Sequence, residues 1–345
     1  MWGRFVNRPE KCASVTKRLM NDASRMVDEE LDGLVALHRN TLRRLEGTRI
    51  IVRKDAPQIG KVGVVGGGGS GHEPMQAGYV GRGMLDAAVA GEIFTAPPPN
   101  QIHRAIREVD GQKGVLLVVN NFAGDTMNFG LAEEMGRKDG VRVEHVIVND
   151  DVAVPVKENR RGIAGGILVE KIAGAKAELG GSLMDVRELA QRAVDNTRSM
   201  GVALTSCTLP SVGKPMFSIG EGEMEVGIGV HGERGVRRTK LGSADEIAKT
   251  LLDRISGDLG LRRGDRVALL ANGMGGTSLM ELLILFRRTL QLLDEAGVVV
   301  SRSMAGSLVT SLDMSGASLT LIRLDDELLQ MLNAPDLTPS FPKKV

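Results

Sequence analysis

The sequence predicts an α/β protein of two domains, with mostly parallel strand-turn-helix units in the first. Three observations carry this. The chain has 345 residues, enough for two separate cores. Several β-branched and leucine-rich runs end in glycine or polar residues and lead into segments of helical periodicity. The 44 glycines lie among these apolar runs, as expected for tight strand-to-helix turns and not for a disordered chain.

Taken in order, residues 1–20 are basic and irregular and read as an arm. Residues 21–47 read as helix, because Met26, Leu31, Leu34, Leu42 and Leu45 recur at helical spacing. Residues 49–52 and 61–65 are strand candidates. The second leads into Gly66-Gly67-Gly68-Gly69-Ser70-Gly71-His72-Glu73-Pro74, with a helix expected from Glu73 and Pro74 in its first turn. An apolar segment from Met84 to Phe94 is broken by Pro97, Pro98 and Pro99, and a helix follows over 101–109. Residues 114–121 form a continuous apolar run, the mark of a buried strand, with a helix starting near Asp125. A strand over 141–148 ends in Asn149-Asp150-Asp151. Ligands in such a sheet are expected at the carboxyl ends of its strands.

Residues 162–179 and 183–200 read as helices, the first small enough in its side chains for close packing. The pattern restarts near Val202, which divides the chain into domains 1–201 and 202–345. The second domain has strand candidates at 202–208, 224–230, 266–271, 298–304 and 317–324. Helices are expected at 244–256, 278–295 and 325–332.

Net charge is +1, from 44 basic and 43 acidic residues, which removes a bulk electrostatic case for nucleic acid or membrane. Aromatics at 3% argue against a base-stacking platform. No apolar run approaches the ~20 residues of a membrane span, and no secretory signal is evident. Cys12 and Cys207 fit no metal spacing and read as reduced thiols of a cytoplasmic protein.

The glycine stretch exposes backbone for close approach to a ligand, and a strand-turn-helix reading makes it a phosphate cradle. It is no Walker motif, since no Gly-Lys-Ser/Thr closes it. A GxGxxG match inside a glycine run is nearly automatic and carries little. Of five histidines, His72 and His231 each adjoin a glycine beyond a predicted strand. With Asp125, also beyond a strand end, they form a candidate nucleophile and base set. His38 reads as a surface residue, His103 as part of a helix start, His145 as packing. Asp150 and Asp151 point apart on an extended chain and make a poor metal pair.

These stretches together resemble the substrate-binding K subunit of dihydroxyacetone kinase. The resemblance lies in Gly67 to Pro74, Gly124-Asp125 with Asn128-Phe129, Asp150 to Val154, Arg160 to Gly165, Leu168 to Ala175, Gly227 to Glu233, and Asn272 to Thr277. It runs in order from about residue 20 to residue 335. It implies a homodimer of two-domain subunits that holds a short ketose as a covalent hemiaminal on His231. Asp125 matches the acid/base aspartate and His72 the second active-site histidine. Gly69, Ser70 and Gly71 match the wall around the substrate, and Asn120 a substrate-binding position. No cofactor is expected on this chain. The phosphoryl group is expected from a separate L subunit, charged by ATP and magnesium or by a phosphotransferase-system protein.

One segment departs from the family. Many relatives read Lys-Asn-Tyr-Thr-Gly-Asp where this chain has Asn120-Asn121-Phe122-Ala123-Gly124-Asp125. A cation and two hydroxyls are lost beside the proposed base, which opens a related ketose such as erythrulose as substrate. Two other classes compete with the kinase reading: a non-catalytic ketose sensor that regulates a partner, and a nucleotide-binding enzyme using the glycine stretch.

Overall fold

The computed structural model describes residues 17–343. Cys12 and most of the predicted basic arm lie outside them.

The first half runs α1 (Met26–Leu37), β1 (Leu42–Arg44), β2 (Ile50–Arg53), β3 (Gly63–Ser70), β4 (Ala87–Ile93), α2 (Pro99–Val109), β5 (Val115–Asn120), α3 (Ala123–Lys138), β6 (Val143–Val148), α4 (Gly166–Glu178) and α5 (Leu183–Asn196). The second runs β7 (Thr197–Ala203), β8 (Glu223–Val226), β9 (Arg237–Lys240), α6 (Ala244–Leu259), β10 (Arg266–Gly273), α7 (Leu279–Glu295), β11 (Val299–Gly306), β12 (Gly316–Arg323) and α8 (Asp326–Asn333).

Two six-stranded sheets result, in the orders β1-β2-β4-β3-β5-β6 and β11-β10-β12-β7-β8-β9. In the first, β4, β3, β5 and β6 pair in parallel, and the short β1 and β2 close the edge antiparallel. In the second, among the described residues, only β10 and β11 are parallel. The core is layered. One apolar cluster joins α2 and α3 to the outer face of the first sheet, and another joins α6 and α7 to the outer face of the second. A third fills the space between the sheets, around α4, α5 and α8.

Local chemistry explains the elements. β5 is buried over its apolar length, as its sequence requires. Helices α5, α6 and α7 begin at capping boxes, Ser182 with Asp185, Ser243 with Glu246 and Ser278 with Glu281. α4 is buried on nearly all sides. Its Gly174 lies so close to Met84 that a Cβ there would sit 2.2 Å from the Met84 carbonyl oxygen.

Four expectations are corrected. Helix α1 stops at Leu37, and Leu42–Arg44 becomes a strand because it pairs with β2. No helix starts at Glu73. The segment turns and forms only a short 3-10 turn at Ala77–Tyr79. Just beyond it, Gly81 lies directly against the Leu337 carbonyl. The expected helix over 183–200 ends at Asn196, and the expected strand at 202–208 starts earlier, at Thr197. There Arg198 turns its guanidinium onto Asp258 and the carbonyls of Asp195 and Thr197. The strand expected to reach Val230 ends at Val226, since Gly227 turns the chain at φ 80°.

Candidate active site

The glycine stretch is strand, not turn. Gly66 to Ser70 lie in β3, paired with β4 on one side, while the start of β3 pairs with β5 on the other. With no helix N-terminus behind it, the stretch lacks the geometry of a phosphate cradle. Its glycines permit close backbone contact instead. A Cβ on Gly69 would lie 2.6 Å from the Thr95 nitrogen.

Beyond β3, the chain turns at Gly71 (φ 99°) and delivers His72 to a cleft at the carboxyl edge of the first sheet. Asp125, in the first turn of α3, and Asn120, at the end of β5, reach the same cleft. His231 enters from the second half on the loop after β8. The three expected groups His72, Asp125 and His231 therefore meet in one cavity. The histidine rings are 4.8 Å apart, centre to centre.

Each side chain is fixed by a definite partner. His72 is buried, and its Nδ1–H donates to the Thr310 carbonyl at 2.8 Å. Its Nε2 is buried without a partner among the described residues and is left as an acceptor. Burial, with His231 alongside, pulls the His72 pKa down to about 3, so the ring is neutral. His231 Nδ1 lies 2.8 Å from Glu233 Oε1, and its backbone N–H donates to Glu233 Oε2 at 2.9 Å. Burial alone would raise the Glu233 pKa, but its bonds to His231 hold it at about 2. An ionised Glu233 keeps the proton on Nδ1 and leaves the Nε2 lone pair of His231 for chemistry.

Asp125 has the opposite environment. It is buried, and its Oδ1 has no partner among the described residues. Desolvation pushes its pKa up to about 7, with the neighbouring His231 opposing. A carboxyl poised there suits a general acid and base near neutral pH. Aromatic rings close the sides: Phe122 lies 4.6 Å from His231, and Phe94 stacks on His72 at 4.9 Å. The cleft leaves about 40 Å³ for the centres of water-sized molecules, against roughly 10–15 Å³ for a single water. That suits a ligand of a few heavy atoms.

Gly69 and Ser70 line the cavity, but the Ser70 hydroxyl donates to the Gly91 carbonyl, so its backbone faces the ligand space. The Gly71 N–H is taken by the Glu73 carboxylate. The Asn120 Oδ1 is buried and has no partner among the described residues. The other candidates resolve structurally. Asp150 accepts the N–H groups of Ile163 and Gly165, and Asp151 pairs with Arg161, which reaches the Gly227 carbonyl below the His231 loop. His38 caps α1, His103 pairs with Asp139, and His145 with Glu133. Among the described residues, no cluster of His, Cys, Asp and Glu suits a metal ion, and no helix is long and apolar enough to cross a membrane.

Sequence reading missed Glu233, Phe122 as a ring partner, Glu30 and Gln76. Glu233 carried one signal, a carboxylate two residues after a histidine in a glycine-flanked turn. Glu30 shows none, because α1 reads as a packing helix. Burial and the nearby Glu73 raise its pKa to about 7.

The Dak1 domain model matches residues 32–340. The dihydroxyacetone-binding subunit of a PTS-dependent dihydroxyacetone kinase from Listeria innocua is 46% identical, over 92% of this chain and 98% of its own length. The corresponding subunit of the PEP-dependent kinase from Escherichia coli is 40% identical, over 94% and 99%. The solved dihydroxyacetone kinase of C. freundii with AMP-PNP and Mg2+ superposes with a TM-score of 0.86 at 38% identity, covering 95% of this chain and 61% of that one. A dihydroxyacetone kinase operon co-activator gives 0.85 at 37%, covering 89% and 96%. The kinases among these relatives are phosphotransferases. With its matched span, its two-sheet architecture and these high-coverage relatives, this chain belongs to the Dak1 domain family of dihydroxyacetone kinase subunits.

Proposed function

We propose that this chain is the substrate-binding subunit of a ketose kinase of the dihydroxyacetone type. It captures a short ketose covalently on His231 and presents its terminal hydroxyl for phosphorylation by a partner. One observation carries the reading: the Nδ1 of His231 is fixed by ionised Glu233, while its ring borders the cavity that also holds Asp125 and His72.

The chemistry balances. The Nε2 lone pair of His231 adds to the ketone carbon, and the C=O π bond breaks onto oxygen. That oxygen takes a proton from Asp125, whose pKa of about 7 populates both forms. The alkylated imidazole keeps its Nδ1–H and its positive charge, paired with Glu233. His72, neutral and with a bare Nε2, accepts the new O–H. Asp125, now a carboxylate, takes the proton of the terminal hydroxyl as that oxygen attacks phosphorus. A glycerol-like alcohol has no carbonyl to attack and is not captured. Phosphoryl chemistry comes from an L subunit, carrying ATP with magnesium or relaying phosphate from a phosphotransferase-system protein. A homodimer working in the cytoplasm completes the proposal.

A second reading has support from the co-activator, whose likeness to this chain matches that of the kinase. A ketose sensor would use the same cavity without turnover. The test adds purified L subunits of both donor types to this chain with a panel of short ketoses. Phosphorylated ketose, lost in His231→Ala, supports the kinase. Ketose binding with no phosphate transfer from any donor favours the sensor.

A further inference from the structure

β3 carries no side chain at Gly66 or Gly68, which share one face by the two-residue period of a strand. Asp125 Oδ1 is the nearest atom to a Cβ built on Gly68, at 4.0 Å. A Cβ on Gly66 would lie 3.3 Å from Gln76 Oε1 and 3.3 Å from Glu170 Oε1. The space over Gly68 is therefore open beside Asp125, while that over Gly66, roughly 7 Å along the strand, is filled by Leu85, Gln76 and Glu170, so Gln76 stands at the end of the open floor. Gly68, Asp125 and Gln76 line the same cavity.

Gln76 is only 8% exposed and Glu170 is fully buried. Gln76 Oε1 and both Glu170 oxygens have no donor among the described residues. Acceptor oxygens that meet over one glycine are satisfied together when the carboxyl keeps its proton and donates to the amide oxygen. Burial supports this, raising the Glu170 pKa to about 8 despite the amide beside it. Such a bond turns Oε1 back toward α4 and aims the Nε2 donors into the cavity. The segment Asn120 to Ala123, whose Asn120 and Phe122 line the catalytic end of the cavity, has by contrast lost polar groups relative to the family pattern.

We propose that Gln76 donates a hydrogen bond to a hydroxyl on the far arm of the bound ketose, that Glu170 is the positioning residue behind it, and that the pair favours a four-carbon ketose over dihydroxyacetone. This rests on the ketose reading above. A ketone carbon on His231, with one terminal hydroxyl at Asp125, leaves the second arm to run along the glycine floor. In a ketotetrose that arm carries one more hydroxyl than in a triose.

The test is the concentration of ketose that half-saturates the covalent adduct, read by intact mass for dihydroxyacetone and for erythrulose. It needs no partner subunit. The wild type should be captured at lower concentrations of erythrulose. Gln76→Met should shift the ratio of the two concentrations toward dihydroxyacetone by roughly tenfold, the effect of one hydrogen bond. Glu170→Gln, whose amide still donates to Gln76, should keep the wild-type ratio, and Glu170→Met should lose it. Gln76→Leu, which also lacks a polar group, repeats the test should Gln76→Met fold poorly. An unchanged ratio in both Gln76 variants overturns this inference alone. Failure of the wild type to capture either ketose overturns the ketose reading as well.

Discussion

At the scale of single residues, the site works by opposed environments. Asp125 is kept near neutrality by burial, while Glu233 is held ionised by the imidazole it orients. The folded pKa of Asp125, about 7, stands above the unfolded value of ~3.9. The folded state therefore holds a proton that the unfolded chain releases between these values. This group's contribution is fully present below about pH 4 and is lost as pH rises through about 7. Asp125→Asn should accordingly raise the unfolding free energy at pH 8, by an amount on the order of a few kcal/mol at most. The same substitution should abolish phosphorylation. Denaturant titrations at pH 5 and pH 8 read the first effect, and turnover reads the second. In the wild type, turnover should fall as pH rises through about 7, because Asp125 must enter the cycle protonated to give its proton to the ketone oxygen.

Glu233→Gln keeps a partner for His231 but removes the charge that balances an alkylated imidazolium. Adduct formation should weaken roughly 10- to 100-fold, the range for a hydrogen bond to a charged group. Titration of the adduct by intact mass measures it, and wild-type capture in the variant would remove Glu233 from the mechanism. Glu233 itself was visible in the sequence only as part of a motif. Its function depends on a turn that brings residue 233 back over residue 231, which composition does not report.

At the scale of elements, strands and helices with strong local signals were legible. β5 shows its burial in Val115 to Val119, and α5, α6 and α7 announce their starts through serine caps. β3 was not legible at its functional end. Four consecutive glycines have no strand propensity, and Gly66 to Ser70 are extended because β4 pairs with them. The absent helix after Glu73 has the same origin: distant backbone at residues 335–338 decides the path of Gly81 and Gly83. Close approach also governs α4. Gly174→Ala should destabilise the protein by about 1–3 kcal/mol or more through overpacking against Met84. Urea unfolding checks this. A loss under 0.5 kcal/mol would mean the helix is free to move away.

At the scale of the whole molecule, the site belongs to neither half alone. His72 comes from the first sheet but is oriented by Thr310, after β11. The Gly71 carbonyl accepts from Leu312 N–H, and the Thr310 hydroxyl donates to the Glu73 carbonyl. Two α/β layers could be read from periodicity. The meeting of His72 with His231 could not, because it depends on how the sheets pack around α4, α5 and α8. The resemblance supplied that pairing from motifs alone, and the geometry brings the two rings together in one cavity.

Everything proposed here turns on covalent capture of the ketose by His231. Intact mass spectrometry of the chain with dihydroxyacetone or erythrulose, followed by peptide mapping, measures it directly. A gain of the full ketose mass, without loss of water, is expected on the peptide containing His231, with no gain in His231→Ala. An adduct that persists in His231→Ala, or one that maps to a lysine with loss of water, would contradict it.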